Sequence, residues 1–203
     1  MSRERRPSIR EEQKKLTRER LLDAAVEVFA GRSALDTNMD DIARAAGVAR
    51  ATVYAHFTNK SDVVLALAQR QYALADEVYA ELAAIERWTR PALHTWLEGV
   101  EARWREQAAS IRALTMAGPA LASDGAAEAH ERFVTKLADD RARWHAVSPA
   151  EARQRVLMAL GQIESFFSAW VVADWKPALE EPLDLVTDVV CHLLAPALAE
   201  EPG

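Results

Sequence analysis

Arg50, Thr52, Tyr54, His56 and Lys60 lie close together in the stretch Thr37 to Lys60, TNMDDIARAAGVARATVYAHFTNK. These side chains are hydrogen-bond donors suited to phosphate oxygens and base edges. Arg50 can give a bidentate contact to guanine, the commonest specific pairing. Thr52 and Ala51 can touch a phosphate or a thymine methyl. Arg44 reaches either the DNA backbone or only solvent. Bond-making chemistry finds no comparable footing. There is no Gly-rich phosphate loop, no H-E-x-x-H metal motif and no Gly-x-Ser-x-Gly elbow. His56, His94, His130, His145 and His192 are scattered, so no local pair suggests a metal site. We therefore expect no catalytic residue, no metal ligand and no cofactor.

The recognition residues need helices to hold them. Met39, Ile42, Ala43 and Ala46 fall at i, i+3, i+4 and i+7, so they share one face of a short helix. Thr37 or Asn38 can cap it, with Asp40 or Asp41 in the capping-box position. Gly47 follows where the chain must turn left-handed. A second helix, about Arg50 to His56, carries Val53 inward, and Phe57 closes the unit. Arg50, Ala51, Thr52, Tyr54, Ala55 and His56 are left facing out. The layout is a helix-turn-helix, whose second helix enters the major groove of double-stranded DNA. Thr17 to Ala30 reads as the supporting helix, with Leu21, Leu22, Ala25, Val28 and Phe29 as its buried stripe and Gly31 at its end.

Phe29, Thr37, Asp41-Ile42-Ala43, Ala46-Gly47-Val48, Thr52-Val53-Tyr54, His56-Phe57 and Lys60 together resemble the TetR family of bacterial transcriptional regulators. The strong resemblance covers about Leu21 to Leu67. It implies that Tyr54, His56 and Lys60 contact phosphate. Thr37, Asn38, Arg44, Arg50, Ala51, Thr52 and Ala55 complete the expected DNA-binding set. The residues alone leave Tyr54 open as a packing aromatic and His56 as a residue near the helix end. Departures from the pattern include Ser33 and Ala34, where the family has Gly plus an aromatic. Ala49 stands in place of the usual Ser cap, a loss of about 1 kcal/mol locally.

The balance of charge supports the same division of labour. The net charge of −6 hides an asymmetry: residues 1–60 hold 12 Lys/Arg against 9 Asp/Glu, and the rest hold 13 against 22. The positive excess sits with the helix-turn-helix, as phosphate binding requires. Residues 1–16 are basic through Arg3, Arg5, Arg6, Arg10, Lys14 and Lys15 and nearly devoid of apolar residues. They read as a disordered arm, either lying on DNA or solvated. The charged start contains no apolar signal segment, and the longest apolar run, Phe166 to Ala173, is too short to span a bilayer. The single cysteine, Cys191, fits a reducing cytosol, so a cytoplasmic location is expected.

The remainder reads as all-α, with 17–62 as the DNA-binding domain and 63–203 as a helical regulatory and dimerisation domain. Ser61 to about Arg87 is one long amphipathic helix. The family resemblance gives it the task of carrying movement from a remote site to the motif. Pro91 to Gln107 and Ser110 to Ala117 follow as two helices, the latter stopped by Gly118-Pro119. A helix starting at Ser123 or Asp124 carries Phe133, Leu137 and Trp144. Ser148-Pro149-Ala150-Glu151 is a strong helix start, and that helix runs to about Asp174. A last helix spans about Pro182 to Ala195. The final two helices are unusually apolar, which predicts a two-fold homodimer packed through them. The dimer would present two recognition helices about 34–36 Å apart to a pseudo-palindromic operator.

The resemblance also implies a small-molecule inducer in this domain. Aromatic walls predict an apolar or aromatic ligand, with Trp96, Val100, Trp104, Met116, Phe133, Gln162, Phe166 and Trp170 as candidate lining residues. Glu164 is read as solvent-facing. The expected function is a DNA-binding regulator, in most cases a repressor, released by its ligand. The alternative is a helical small-molecule-binding protein or enzyme that no longer binds an operator.

Overall fold

The computed structural model describes residues 8–31, 36–117 and 125–198. Every regular element among them is helical: α1 (Ile9–Gly31), α2 (Met39–Ala46), α3 (Arg50–Tyr54), α4 (Lys60–Ala84), α5 (Arg90–Ala117), α6 (Ala126–Ala138), α7 (Pro149–Phe167) and α8 (Pro182–Leu194). A π-helical turn, Ser168–Val172, extends α7, and a 3₁₀ turn, Ala195–Ala197, follows α8. The chain divides into two compact units. One takes Met1–Arg70 and Ala109–Asp124, and the other takes Gln71–Ala108 and Gly125–Gly203.

The first unit is built on an apolar cluster. Leu21, Leu22, Ala25 and Phe29 of α1 meet Ile42, Ala43 and Ala46 of α2, Val53 of α3, Phe57, and Val64 and Leu67 of α4. Ala113 and Ala117 of α5 join the same cluster. Arg70 ties α4 to α1, with Nη1 at 2.7 Å from Asp23 and 3.6 Å from Glu19.

The second unit has a larger, aromatic-rich core. Tyr79 and Leu82 of α4 pack with Trp96, Leu97 and Val100 of α5, Phe133 and Leu137 of α6, Val156, Leu160, Ile163 and Phe167 of α7, and Val186 and Val190 of α8. Trp88 and Trp144 are fully buried edge to face, their ring centroids 6.3 Å apart. Each indole N–H donates to a carbonyl at a helix end, Leu82 O and Leu137 O, at 2.9 Å. A buried indole donor must find such a partner, so the two tryptophans close the ends of α4 and α6.

Several boundaries differ from the sequence reading. Helix α1 begins at Ile9, so residues 9–16 are helical rather than a disordered arm. Ser8 and Glu11 form a reciprocal cap. The Ser8 N–H donates to Glu11 Oε2 at 2.6 Å, and the Glu11 N–H donates to Ser8 Oγ at 3.3 Å. Thr17 is no cap, because its hydroxyl donates to the Gln13 carbonyl one turn back. Helix α4 stops at Ala84, short of Arg87.

The two helices expected between Pro91 and Ala117 are one, α5. The joining run Gln107-Ala-Ala-Ser contains neither Pro nor Gly, and its alanines favour continuation. Trp144 lies beyond the end of α6. The Ser148 cap is present, accepting from the Glu151 N–H at 3.2 Å. The α-helix it starts ends at Phe167, where the π turn takes over. Residues 1–7, Ser33, Ala34, Gly118-Pro119, Ser123 and Asp124 lie outside the described residues.

Candidate nucleic-acid interface and the aromatic core

Helix α2 is held at both ends. Asn38 Oδ1 accepts from the N–H groups of Asp40 and Asp41 at 2.9 and 3.0 Å, while Asp41 Oδ2 accepts from the Asn38 N–H at 3.0 Å. Asn38, not Thr37, is therefore the cap. Gly47 ends the helix at φ 62°, a left-handed conformation that a side chain would strain. The chain then enters α3, where Ala49 offers no side-chain cap. That missing bond is the one expected from the sequence. Val53 and Phe57 point into the core, which turns Arg50, Ala51, Tyr54 and Ala55 to solvent and leaves Thr52 and His56 half-exposed.

Arg50 is held in place on this outer face. Its Nη1 donates to Asp40 Oδ2 at 3.1 Å, and its Nε lies 3.0 Å from Asp40 Oδ1. Its guanidinium sits 5.3 Å from the centre of the Tyr54 ring, with Nη2 donating to the Tyr54 hydroxyl at 3.4 Å. The Tyr54 hydrogen bond, then the charge of Asp40, raises the Arg50 pKa further. Arg44 pairs with Asp41 at 3.0 Å and is otherwise well exposed.

Lys60 opens α4 and donates from Nζ to the Thr37 carbonyl at 2.9 Å. Thr37, expected among the DNA contacts, is buried and holds Lys60 through its backbone carbonyl. Asn59 Oδ1 accepts from the Asp62 N–H at 3.0 Å, and Asp62 Oδ2 accepts from the Thr58 N–H at 2.9 Å. This cap delivers Lys60 at the start of the helix.

His56 sits in a positive field. Its pKa is pushed below the ordinary value by burial first, then by Lys14 and Arg18. Its Nδ1 is buried with no hydrogen-bond partner. The neutral ring can donate to a phosphate but brings no charge of its own. Arg18 lies over the Phe57 ring, 4.7 Å from its centre. Lys14 and Arg18 are thus brought close to His56. The signal for them was the Ser8-Ile-Arg-Glu11 capping box, which extends α1 far enough to carry both.

The second unit gathers its aromatic residues into two groups. In one, Tyr79 stands 4.8 Å from Phe133 and 6.3 Å from Trp96, ring centre to ring centre, with Val100 in the same core. In the other, Trp104 stacks on Phe167 at 5.8 Å, and Phe166 meets Trp170 at 5.3 Å. Arg105 lies over Trp170 at 5.0 Å. Two expected lining residues do not join either group. Met116 is exposed and belongs to the first unit, and Gln162 is exposed on the outer side of α7.

Glu164, read from sequence as solvent-facing, is only half-exposed and is the polar centre of this core. Its Oε1 accepts from the Tyr79 hydroxyl at 3.2 Å, and its Oε2 lies 3.0 Å from His130 Nε2. His130 Nδ1 is 2.8 Å from the Ala126 carbonyl. Both ring nitrogens therefore face acceptors, which an imidazolium satisfies at once. Burial pulls the His130 pKa down, but the Glu164 hydrogen bond, the Ala126 carbonyl and the Glu164 charge outweigh it, so the net direction is up. Burial, then Glu164, holds the Tyr79 phenol well above its ordinary value.

His130 also lines an open groove of about 470 Å³ with Glu131 and Val134 of α6 and Arg153 and Leu157 of α7. None of the eight expected ligand residues lines this groove. Among the described residues, no group of three or more His, Cys, Asp or Glu side chains is placed to hold a metal. No described helix is long and apolar enough to cross a membrane.

Residues 21–67 match the family model described as "Bacterial regulatory proteins, tetR family". The uncharacterised HTH-type transcriptional regulator TtgW of Pseudomonas putida is 44% identical over 75 residues, 36% of this chain and 56% of that protein. The HTH-type transcriptional regulator SrpR, also of Pseudomonas putida, is 44% identical over 73 residues, 36% of this chain and 34% of that protein. The matched stretch thus spans 56% and 34% of the length of these curated relatives. The fold extends further than the sequence likeness. A TetR family transcriptional regulator from Pseudomonas syringae pv. tomato superposes with a TM-score of 0.64 at 20% identity, covering 88% of this chain and 95% of that one.

Proposed function

Because the chain belongs to the TetR family of bacterial regulatory proteins, we propose that it is a cytoplasmic repressor that binds a pseudo-palindromic operator as a dimer and leaves it on binding an apolar or aromatic ligand. The observation that carries DNA recognition is the outer face of α3, where Arg50, Ala51, Tyr54 and Ala55 stand over the buried Val53 and Phe57. Tyr54, His56 and Lys60 are the phosphate contacts in this reading, with Arg50 and Thr52 reading sequence. A capped Lys60 at a helix start adds a point charge to the free N–H groups there.

Dimerisation is supported by apolar side chains left outside. Leu157 and Met158 of α7 and Leu185 and Val189 of α8 are all at least 40% exposed. A surplus apolar face of this kind calls for a partner, and a second copy supplies an identical one. Light scattering on the purified chain should give twice the monomer mass, and Leu185→Glu should shift it toward monomer.

The inducer belongs in the second unit. Trp104, Phe166 and Trp170 offer apolar walls, and the Glu164–His130–Tyr79 group offers polar atoms for orientation. The switch is two-state: ligand must bind the DNA-incompetent state better, or the equilibrium does not move. A coupling of about 1–3 kcal/mol changes operator affinity roughly 5- to 150-fold.

Gel retardation with genomic fragments is the test. Binding should weaken with salt at about 0.9 in log K per phosphate neutralised. Failure to retard any fragment at low salt would overturn the reading.

A further inference from the structure

We propose that Asp40 is a specificity-positioning residue: it holds Arg50 ready to read a base and keeps it from serving as an ordinary phosphate contact. The inference rests on the DNA-binding reading above and adds to it a residue that would touch no DNA.

The geometry has three parts. Asp40 lies in the first turn of α2 and Arg50 in the first turn of α3, so their pairing spans the turn of the motif. The Arg44–Asp41 pair, by contrast, closes within α2 itself. The Arg50 guanidinium is held on one side by Asp40 and on another by the Tyr54 ring and hydroxyl. Held this way, a long and exposed side chain keeps one orientation before DNA arrives.

Donor arithmetic shows that the hold leaves Arg50 able to read. A guanidinium carries five N–H donors. One donor on Nη1 goes to Asp40 Oδ2 and one on Nη2 goes to Tyr54, while Nε lies 3.0 Å from Asp40 Oδ1 as an ion-pair contact without a hydrogen bond. One donor on each terminal nitrogen remains for a base edge, and guanine O6 and N7 need two.

Charge arithmetic gives the other half. Arg50 and Asp40 together are close to neutral, so the pair attracts phosphate weakly. The carboxylate also repels the DNA backbone. A wrong sequence therefore gains little from Arg50, while the correct base gains its hydrogen bonds. This is specificity obtained by withholding non-specific affinity. As a surface ion pair it should contribute little to stability. Its effect should appear in discrimination.

The test uses the full-length chain as wild type, Asp40→Asn, Asp40→Glu, Arg50→Ala and the double variant Asp40→Asn/Arg50→Ala. A random-sequence duplex library is selected with wild type. Each protein is then titrated on the selected site and on random duplex across a salt series, with thermal melts as the check on folding. Asp40→Asn should bind random duplex more tightly, with a salt slope steeper by up to about 0.9 as Arg50 turns to phosphate. Its ratio of selected to random affinity should fall about tenfold, the scale of one base contact. Asp40→Glu should restore part of that ratio. In the Arg50→Ala background, Asp40→Asn should leave the ratio unchanged.

An Asp40→Asn variant with wild-type discrimination would overturn the proposal. So would an equal loss of discrimination in the Arg50→Ala background, because Asp40 would then act through α2 and not through Arg50. A wild-type chain that shows no sequence preference would remove the DNA-binding reading itself, an outcome visible before any variant is compared.

Discussion

In the first unit Arg44, Arg50 and Tyr54 stand outward from helices whose inner faces are apolar, while in the second unit Glu164 and His130 turn toward a core of aromatic rings. The outward groups stay hydrated, so each can be exchanged at small cost to the fold. The inward groups must satisfy one another, because an unpartnered polar atom in such a place costs about 1–3 kcal/mol. A surface that reads DNA can therefore vary residue by residue. A core whose polar groups satisfy one another has to change several residues together.

The largest effect should come from the apolar side of the first unit. Phe57→Ala should cost about 3–5 kcal/mol in urea denaturation, because the ring closes the helix-turn-helix from within. A loss below about 1 kcal/mol would mean that the motif does not depend on its inner face, and the contrast between the units would collapse.

Lys60→Ala tests the outward side. It should weaken binding to all duplex sequences alike and reduce the salt slope by about 0.9, as measured by titration at several salt concentrations. A change confined to one sequence would make Lys60 a base reader instead.

The inward group should reveal itself through pH. The His130 pKa is raised in the folded chain, so its contribution to stability is full below the ordinary histidine value and is lost as pH rises through the higher folded value. Urea midpoints should therefore fall across that window for wild type. In Glu164→Gln the partner charge is gone and only the Ala126 carbonyl still opposes burial, so the fall should shrink or reverse. An unchanged pH profile would show that Glu164 does not hold His130.

The smallest effect belongs to the open cap. Ala49→Ser should supply the missing acceptor at the start of α3 and raise stability by about 0.5–1 kcal/mol, read by thermal melting. No gain would mean that the neighbouring turn already satisfies those N–H groups.

Much of the first unit was legible beforehand. Apolar spacing in Met39–Ala46, the Asn38 and Asp41 cap, Gly47 and the inward Val53 and Phe57 are local features, and local features are what a sequence displays. The N-terminal boundary was missed because residues 9–16 lack an apolar stripe, although the Ser8–Glu11 cap was there to be read. In the second unit the helices were legible but their partners were not. Trp104, Phe166 and Trp170 do come together with Phe167, whereas Met116 falls in the other unit. Spacing along a helix tells which residues share a face and says nothing of what that face meets.

By itself the sequence determined an all-α chain, a helix-turn-helix between Thr37 and Lys60, and the set of side chains that α3 leaves outside, because these follow from caps, turns and helical periodicity over a few residues. Only the tertiary structure decided that Asp40 holds Arg50, that Lys14 and Arg18 stand near His56, and that Glu164 joins Tyr79 to His130. Those pairings bring together residues from different helices, and their distances are set by how the helices pack.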